Sequence, residues 1–324
     1  MSCDRPTRRL AAAIAATLAS TMLVAACGGG GSSSTGSASA ANANTGGAGK
    51  PSKATSNGTR AGGGGAKPHR ATVSDNAAQG DFSPKIFGAP TANTNPWLPL
   101  RPGTQWVREG FVNVGSRRLP HRVVSTVTDV SKRVDGVSTV AVIDQDFNGG
   151  QISEQSIDYL ANDRNGNVWY LGSYTEAYEG GQFVFANDAW LAGVNGATAG
   201  VLMIADPQAG TPAFTEDTIP GGESPTAQVE RTGQSQCVPF HCYKDVLLLS
   251  EGGETKYFAP GVGQIKTTPP AGGGAQEVEN LVNLTRLSPR GLAAISDEVL
   301  KLDRHSKSTA PTVFANASPA KRTL

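Results

Sequence analysis

From Thr104 onward the chain is a succession of short runs rich in β-branched and aromatic residues, each closed by residues that reverse direction. The first runs are Thr104 to Phe111, Arg122 to Val134, Val137 to Phe147, Ile152 to Leu160 and Val168 to Tyr174. Asp135-Gly136, Asn148-Gly149-Gly150 and Asn165-Gly166 separate the later ones. Such dipeptides adopt positive φ readily and match the twist of a hairpin, so consecutive strands are expected to pair antiparallel, as a meander. Within Val137 to Phe147, Val140 and Val142 point to one face while Val137, Ala141 and Ile143 point to the other. Ile157 and Tyr159 likewise oppose Leu160, and Trp169 opposes Val168 and Tyr170. Apolar side chains on both faces mean that both faces are at least partly covered. The pattern therefore predicts a mainly β, α+β fold: a curved antiparallel meander or half-barrel with something inside it.

Further strands are predicted at Gln182 to Ala186, Ala227 to Thr232, Tyr243 to Leu249, Thr255 to Phe258 and Gly261 to Lys266. Between them, Asn187 to Ala213 shows no clear period, yet carries Trp190, Leu202, Met203 and Ile204. A connection of that length is often a lid or a binding loop, so these four residues are the candidate binding loop, set against a loop that merely closes one end of a barrel. Beyond Pro289, Leu292, Ile295, Val299 and Leu302 recur at helical spacing, with Asp297 and Glu298 on the other face, which predicts a short amphipathic C-terminal helix on the sheet. Ser306 to Leu324 is expected to fray as a disordered tail.

Composition changes the picture at the other end. From Gly28 to Thr72 there is no Val, Ile, Leu, Met, Phe, Trp or Tyr, so this stretch cannot offset its backbone entropy by burial and reads as a tether. Before it, Arg5, Arg8 and Arg9 precede an apolar run from Leu10 to Val24, the layout of an export signal and short of the length a membrane span needs. The run ends Val24-Ala25-Ala26-Cys27, which resembles the lipobox of bacterial lipoproteins. That resemblance implies a signal peptide over 1–26, a diacylglyceryl group on Cys27, often a further acyl chain such as palmitate on its new amine, and a firm membrane-lipid anchor. Gly28, where the sorting pattern of such lipoproteins retains inner-membrane proteins with Asp, favours the outer membrane of a two-membrane cell envelope. The alternative is a plain secretory signal in which Cys27 is incidental.

The organisation that follows is a signal peptide over 1–26, the lipidated Cys27 and a Gly/Ser/Ala-rich linker over 27–80, a β-rich domain over 81–305 and the tail over 306–324. Lys50, Lys53, Arg60, Lys67 and Arg70 have no acidic residue among them in the tether, and suit anionic headgroups as well as mere solubility. A coil of this length spans roughly 40 Å, enough to hold the body off the bilayer. With eight basic residues and Asp4 lying before Val73, the body keeps 20 of the 28 basic and 26 of the 27 acidic residues. The body is mildly acidic, and a net charge of +1 for the chain argues against a dedicated nucleic-acid binder.

The body also resembles an uncharacterised group of secreted bacterial proteins and lipoproteins that share three phrases. These are Asn95-Pro-Trp-Leu-Pro-Leu-Arg-Pro-Gly-Thr-Gln-Trp106, Asp163-Arg-Asn-Gly-Asn-Val-Trp-Tyr170 and Tyr257-Phe-Ala-Pro-Gly-Val-Gly263. The resemblance covers roughly Asn95 to Leu287 and brings no function with it. The last phrase is similar to a strand turn in the half-barrel carriers of the LolA and LolB type. That likeness implies a curved antiparallel sheet around an apolar cavity, and carries over no ligand-contacting residue.

Candidate chemistry is sparse. In an exported chain, once Cys3 leaves with the signal and Cys27 takes the lipid, Cys237 and Cys242 remain, and a disulfide is expected between them. The other reading makes Cys237, His241 and Cys242 soft metal ligands, although their spacing matches neither structural zinc nor haem attachment. There is no GxSxG elbow, HExxH, Walker loop or GxGxxG, and Gly233-Gln-Ser235-Gln-Cys237 lacks the last Gly of an elbow. Asp163-x-Asn165-Gly-Asn167 has the opening of a calcium loop without its glycine or its twelfth-position Glu, and a hairpin turn explains it better. Asp144, Asp146, Glu154 and Asp158 gather near the Asn148 hairpin, where an acid and base pair is the sharper reading and a solvated turn the plainer one. The expectation is thus a non-catalytic envelope lipoprotein, with no cofactor and no metal, that binds an apolar or amphipathic ligand or an envelope protein. An envelope hydrolase using the acidic cluster and a purely structural surface protein stand as the alternatives.

Overall fold

The computed structural model describes residues 81–89, 95–222, 224–270 and 277–323, so the signal peptide, Cys27 and the tether lie outside the described residues. Five long strands open the domain as a meander: β1 (Thr104–Val114), β2 (Arg117–Val134), β3 (Val137–Asn148), β4 (Gln151–Asn162) and β5 (Val168–Glu179). The turns between β2 and β5 fall at the dipeptides that predicted them, with Asp135 (φ 42°), Gly136, Gly149, Gly150 and Gly166 at positive φ. β5 is long enough to take two partners. Its later part pairs with β6 (Gln182–Leu191) and its first residues pair with β7 (Thr198–Met203).

A second series follows: β8 (Phe214–Thr215), β9 (Asp217–Thr218), β10 (Thr226–Cys237), β11 (Cys242–Glu251), β12 (Glu254–Ala259), β13 (Gly263–Thr268) and β14 (Glu277–Arg286). β14 returns to pair with β1, from Thr104 opposite Arg286 to Val112 opposite Glu277. At the far side one short segment serves both ends of the sheet. Phe214 and Thr215 pair with β10, and Asp217 and Thr218 pair with β7. The sheet therefore curls into a nearly closed half-barrel, all antiparallel.

Alternation fixes two faces. The interior row of β1 is Trp106, Arg108, Gly110 and Val112, and the register carries it onto His121, Val123, Ser125 and Val127 of β2 and Glu277, Glu279 and Leu281 of β14. On the outer face, Ala141, Ile143, Ile157, Tyr159 and Tyr174 are fully buried, because the C-terminal helix lies over them. That helix, α1 (Pro289–Thr309), starts where Ser288 accepts a hydrogen bond from the Gly291 amide at 3.2 Å, with Pro289 in the first turn. It buries Ser296, Val299, Leu302, Asp303 and Ser306.

The helix is longer than its apolar spacing foretold, and Ser306 to Thr323 belong to the helix and to further elements where a frayed tail was expected. After α1 come α2 (Pro311–Phe314) and β15 (Lys321–Arg322), which pairs with β2. Phe314 is fully buried with its ring 5.6 Å from that of Tyr174. The rest of the hold is polar: Lys132 Nζ donates to Asp303 and to the Ser318 carbonyl, both at 2.7 Å, and the Ala320 amide donates to Asp303 at 2.9 Å. Arg322 forks onto Asp129. Composition does not show such partners, which is why the tail read as disordered.

The segment predicted as an irregular loop is corrected as well. Asn187 to Ala213 contains the end of β6 and all of β7, and Trp190, Leu202, Met203 and Ile204 are each 5% exposed or less. Small residues hid the strand: a Cβ on Gly200 would meet the Thr215 carbonyl oxygen at 2.3 Å, so glycine is what lets β7 approach the closing segment.

One end of the half-barrel is stoppered by the lead-in residues 95–100, with Leu98 and Leu100 buried. Asn95 donates to the carbonyls of Gly166 (2.9 Å) and Ile204 (3.1 Å), while its own carbonyl accepts from the amides of Trp97 and Leu98. The Gly261 amide donates to the Pro96 carbonyl at 2.7 Å, and Trp106 Nε1 to the Val262 carbonyl at 2.7 Å. The three phrases that are far apart in sequence thus meet at one structural plug. Asp163, the candidate calcium ligand, spends both carboxylate oxygens on the amides of Asn165 and Asn167, the Asn167 side chain and Trp169 Nε1, as a hairpin turn requires.

Candidate functional site

Leu98, Leu100, Trp106, Val127 and Val142 line a small, mainly apolar cavity of about 20 Å³, room for about one water, and Arg108, Ser125 and Gln264 complete its wall. Beyond Arg108 the interior changes character. Asp144, Asp146, Asp158, Asp188, Glu216, Asp217, Glu251, Glu277 and Glu279 are all buried, nine carboxylates against the buried cations Arg108, His121 and Lys256. Burying a charge costs several kcal/mol unless it is paired, so an interior this acidic is held at the expense of stability.

The centre of the band is a chain of charge-assisted contacts. Arg108 Nε lies 2.8 Å from Glu279, and Arg108 also donates to Ser125 Oγ at 3.0 Å. His121 Nε2 lies 3.2 Å from Glu279 and 3.5 Å from Glu277, while its Nδ1 lies 2.7 Å from Asn148 Oδ1. Burial opposes the charge on His121, but the two glutamates more than offset it and lift its pKa to about 11. Burial also opposes ionisation of Glu279, yet Arg108 and His121 draw it down to about 2. For Glu277 burial wins and the carboxyl is pushed up to about 8.

Around this centre the acids face one another. Asp146 stands opposite Glu154 across β3 and β4, and Asp158 stands opposite Ser173 and accepts from Tyr170 Oη at 2.7 Å. Burial first, and then neighbouring carboxylates, raise Asp146 and Asp158 well above the ordinary carboxylate range. On the other wall Lys256 pairs with Glu251, near Glu216 and Glu254. Burial, then Asp188, pushes Asp217 up to about 7, and burial pushes Glu254 up to about 7. One oxygen of Asp146 and both of Asp217 have no hydrogen-bond partner.

The structure thus brings together the hairpin acids Asp144, Asp146, Glu154 and Asp158, in the interior and not on a solvated turn. It adds Arg108, His121, Lys256, Glu277 and Glu279, which the sequence reading passed over. The available signal was alternation: Glu277, Glu279 and Leu281 share one face, as do His121, Val123 and Ser125. Trp190, in contrast, sits in the core with its ring 5.0 Å from that of Tyr170, while Leu202, Met203 and Ile204 are buried along and just beyond β7. Cys237 and Cys242 form the expected disulfide, with sulfurs 2.00 Å apart at the end of the β10–β11 hairpin. No helix among the described residues is long and apolar enough to cross a membrane.

Compared with known protein families, with curated proteins and with solved structures, the chain has no significant match.

Proposed function

We propose that this is a lipid-anchored protein of the cell envelope, tethered through Cys27, whose half-barrel binds a cationic ligand without transforming it. The observation that carries this reading is the band of nine buried carboxylates facing three cations. A cation entering the band takes up charge that the fold otherwise leaves to protons, and the energy of that exchange is available for affinity. An amphipathic ligand enters by its cationic end, because the apolar side of the interior is already occupied by Leu98, Leu100 and Trp106. The tether and the acyl chains supply position and leave the body free to meet its ligand near the bilayer, in a two-membrane host at the outer membrane.

The test uses the full chain carrying Cys27→Ser, so that its own lipid does not confuse the result. Native mass spectrometry and thermal melts with spermidine, a cationic amphiphile and a neutral lipid are expected to show one retained cation and a raised Tm with the cationic species alone. An unchanged mass and Tm with every cation removes the reading, and uptake of the neutral lipid would replace it with an apolar carrier.

A hydrolase remains the second reading because Asp146 opposes Glu154 and burial raises its carboxyl well above the ordinary range, the asymmetry that a general acid and its base require. Release of a product from an envelope glycan by the wild-type chain, abolished in both Asp146→Asn and Glu154→Gln, would establish it.

A further inference from the structure

We infer that His121, Glu277 and Glu279 form a three-ligand binding site for a divalent transition-metal ion of the zinc class, with water as the fourth ligand. The inference rests on the cation-binding reading above and names its site and ligand class. One imidazole and two carboxylates are ligand types that zinc accepts, and three protein ligands with one water complete its tetrahedron.

The geometry is close to what such an ion needs. Each of His121, Glu277 and Glu279 offers an atom within 4.8 Å of the others. His121 Nε2 is 3.2 Å from Glu279 and 3.5 Å from Glu277. Metal–ligand bonds of about 2.0–2.2 Å in a tetrahedron put neighbouring ligand atoms about 3.4 Å apart. The spacings of 3.2 Å and 3.5 Å bracket that edge.

Two observations independent of the cluster point the same way. Asp146, 4% exposed on the adjoining strand and within the field of His121 and Glu279, keeps a buried oxygen with no hydrogen-bond partner. In addition, His121 Nδ1 is committed to Asn148 Oδ1 at 2.7 Å, so Nδ1 carries a proton and Nε2 is the nitrogen turned to the carboxylates. An outer partner that sets the imidazole's orientation in this way is what metal-binding histidines use. Arg108 contacts Glu279 from the far side and holds that carboxylate in place without blocking the face turned to His121.

The test is titration of the chelator-treated full chain, Cys27→Ser, with Zn²⁺ alone by calorimetry, beside spermidine as an organic cation. Co²⁺ in place of Zn²⁺ reports ligation from its visible absorption without any further variant. One Zn²⁺ per chain is expected, with a four-coordinate Co²⁺ spectrum. Glu277→Gln and His121→Gln are each expected to weaken Zn²⁺ binding by about tenfold or more. Absence of Zn²⁺ binding, a six-coordinate Co²⁺ spectrum, or affinity untouched in both variants would overturn the site. If Zn²⁺ fails while spermidine binds, the metal site falls and the cation-binding reading stands; if neither binds, both fall.

Discussion

His121 and Glu279 touch across a strand to which neither belongs. Their side chains come within 3.2 Å over β1, where the residue between them in register with both is Gly110. Any side chain there would stand in the interior row between the imidazole and the carboxylate. The approach of β14 is also tight, since a Cβ on Gly110 would lie 1.8 Å from the Val278 carbonyl oxygen. Gly110→Ala is therefore expected to destabilise the fold by about 2 kcal/mol or more, as overpacking does, because the neighbour is backbone and cannot swing away. Urea unfolding measures this, and a variant as stable as the parent would show that β1 and β14 are more loosely paired than described.

Stability should fall as pH rises from 5 to 8. Asp217 and Glu254, raised to about 7, and Glu277, raised to about 8, favour the folded state while protonated. Their contribution is complete below the ordinary carboxylate pKa of about 4 and is lost as pH passes through 7 to 8. His121, raised to about 11, adds stability below about 6.5 that fades above it. Glu279, lowered to about 2, gains its contribution above about 4.5 and loses it only toward pH 2, so it is flat across this window. Thermal melts at pH 5 and pH 8 are expected to differ by several degrees in favour of pH 5; a higher Tm at pH 8 would contradict the buried acid band.

Asp303 is the clamp of the C-terminal region. Its carboxylate receives Lys132, Tyr159 Oη at 2.9 Å and the Ala320 amide, all in a nearly dry environment. Asp303→Ala leaves a buried ammonium unpaired, a change that costs about 3–5 kcal/mol. Hydrogen exchange should show β15 and α2 losing protection first, and unaltered protection there would mean that Phe314 alone holds the region.

Asn95→Ala removes the two-sided bridge between the plug and the turns it closes. The Gly166 and Ile204 carbonyls and two amides of the plug lose their partner, at about 1–3 kcal/mol for a buried group left unsatisfied. Faster proteolysis within residues 95–100 is the expected readout, with the β2–β3 and β3–β4 hairpins undisturbed.

Reducing the Cys237–Cys242 bond should act locally. So short a loop contributes about 2 kcal/mol in the chain-entropy account. The far-UV spectrum is expected to stay as it is, because the bond ties only the end of one hairpin.

The meander was legible because turn chemistry is local: Asp135-Gly136 and Asn148-Gly149-Gly150 sit where their φ angles demand. The helix was legible from Leu292, Ile295, Val299 and Leu302, but its extension was not, since its buried residues there, Asp303 and Ser306, are polar and Asp303 is held by Lys132, far away in the chain. The hairpin acids could be gathered from sequence, as Asp144 through Asp158 are neighbours. Their inward direction, and their meeting with Arg108, Glu277 and Glu279, depend on the β1–β14 register, which joins residues 171 positions apart. β7 went unseen because Thr198-Ala-Gly200 has too little bulk to show a period.

That same register dictates an order of assembly. Apart from the β1–β14 pairing, every main ladder in the sheet joins strands that are close in sequence, so two arms, β1 to β7 and β10 to β14, can zip up independently. β1 is made first and must wait with an open edge until β14 arrives, and closing so long a loop is entropically slow. A chain exported before it folds would pass through the envelope as two half-sheets. Its slowest refolding phase should report the docking of β14 on β1, the step that also brings Glu279 to His121.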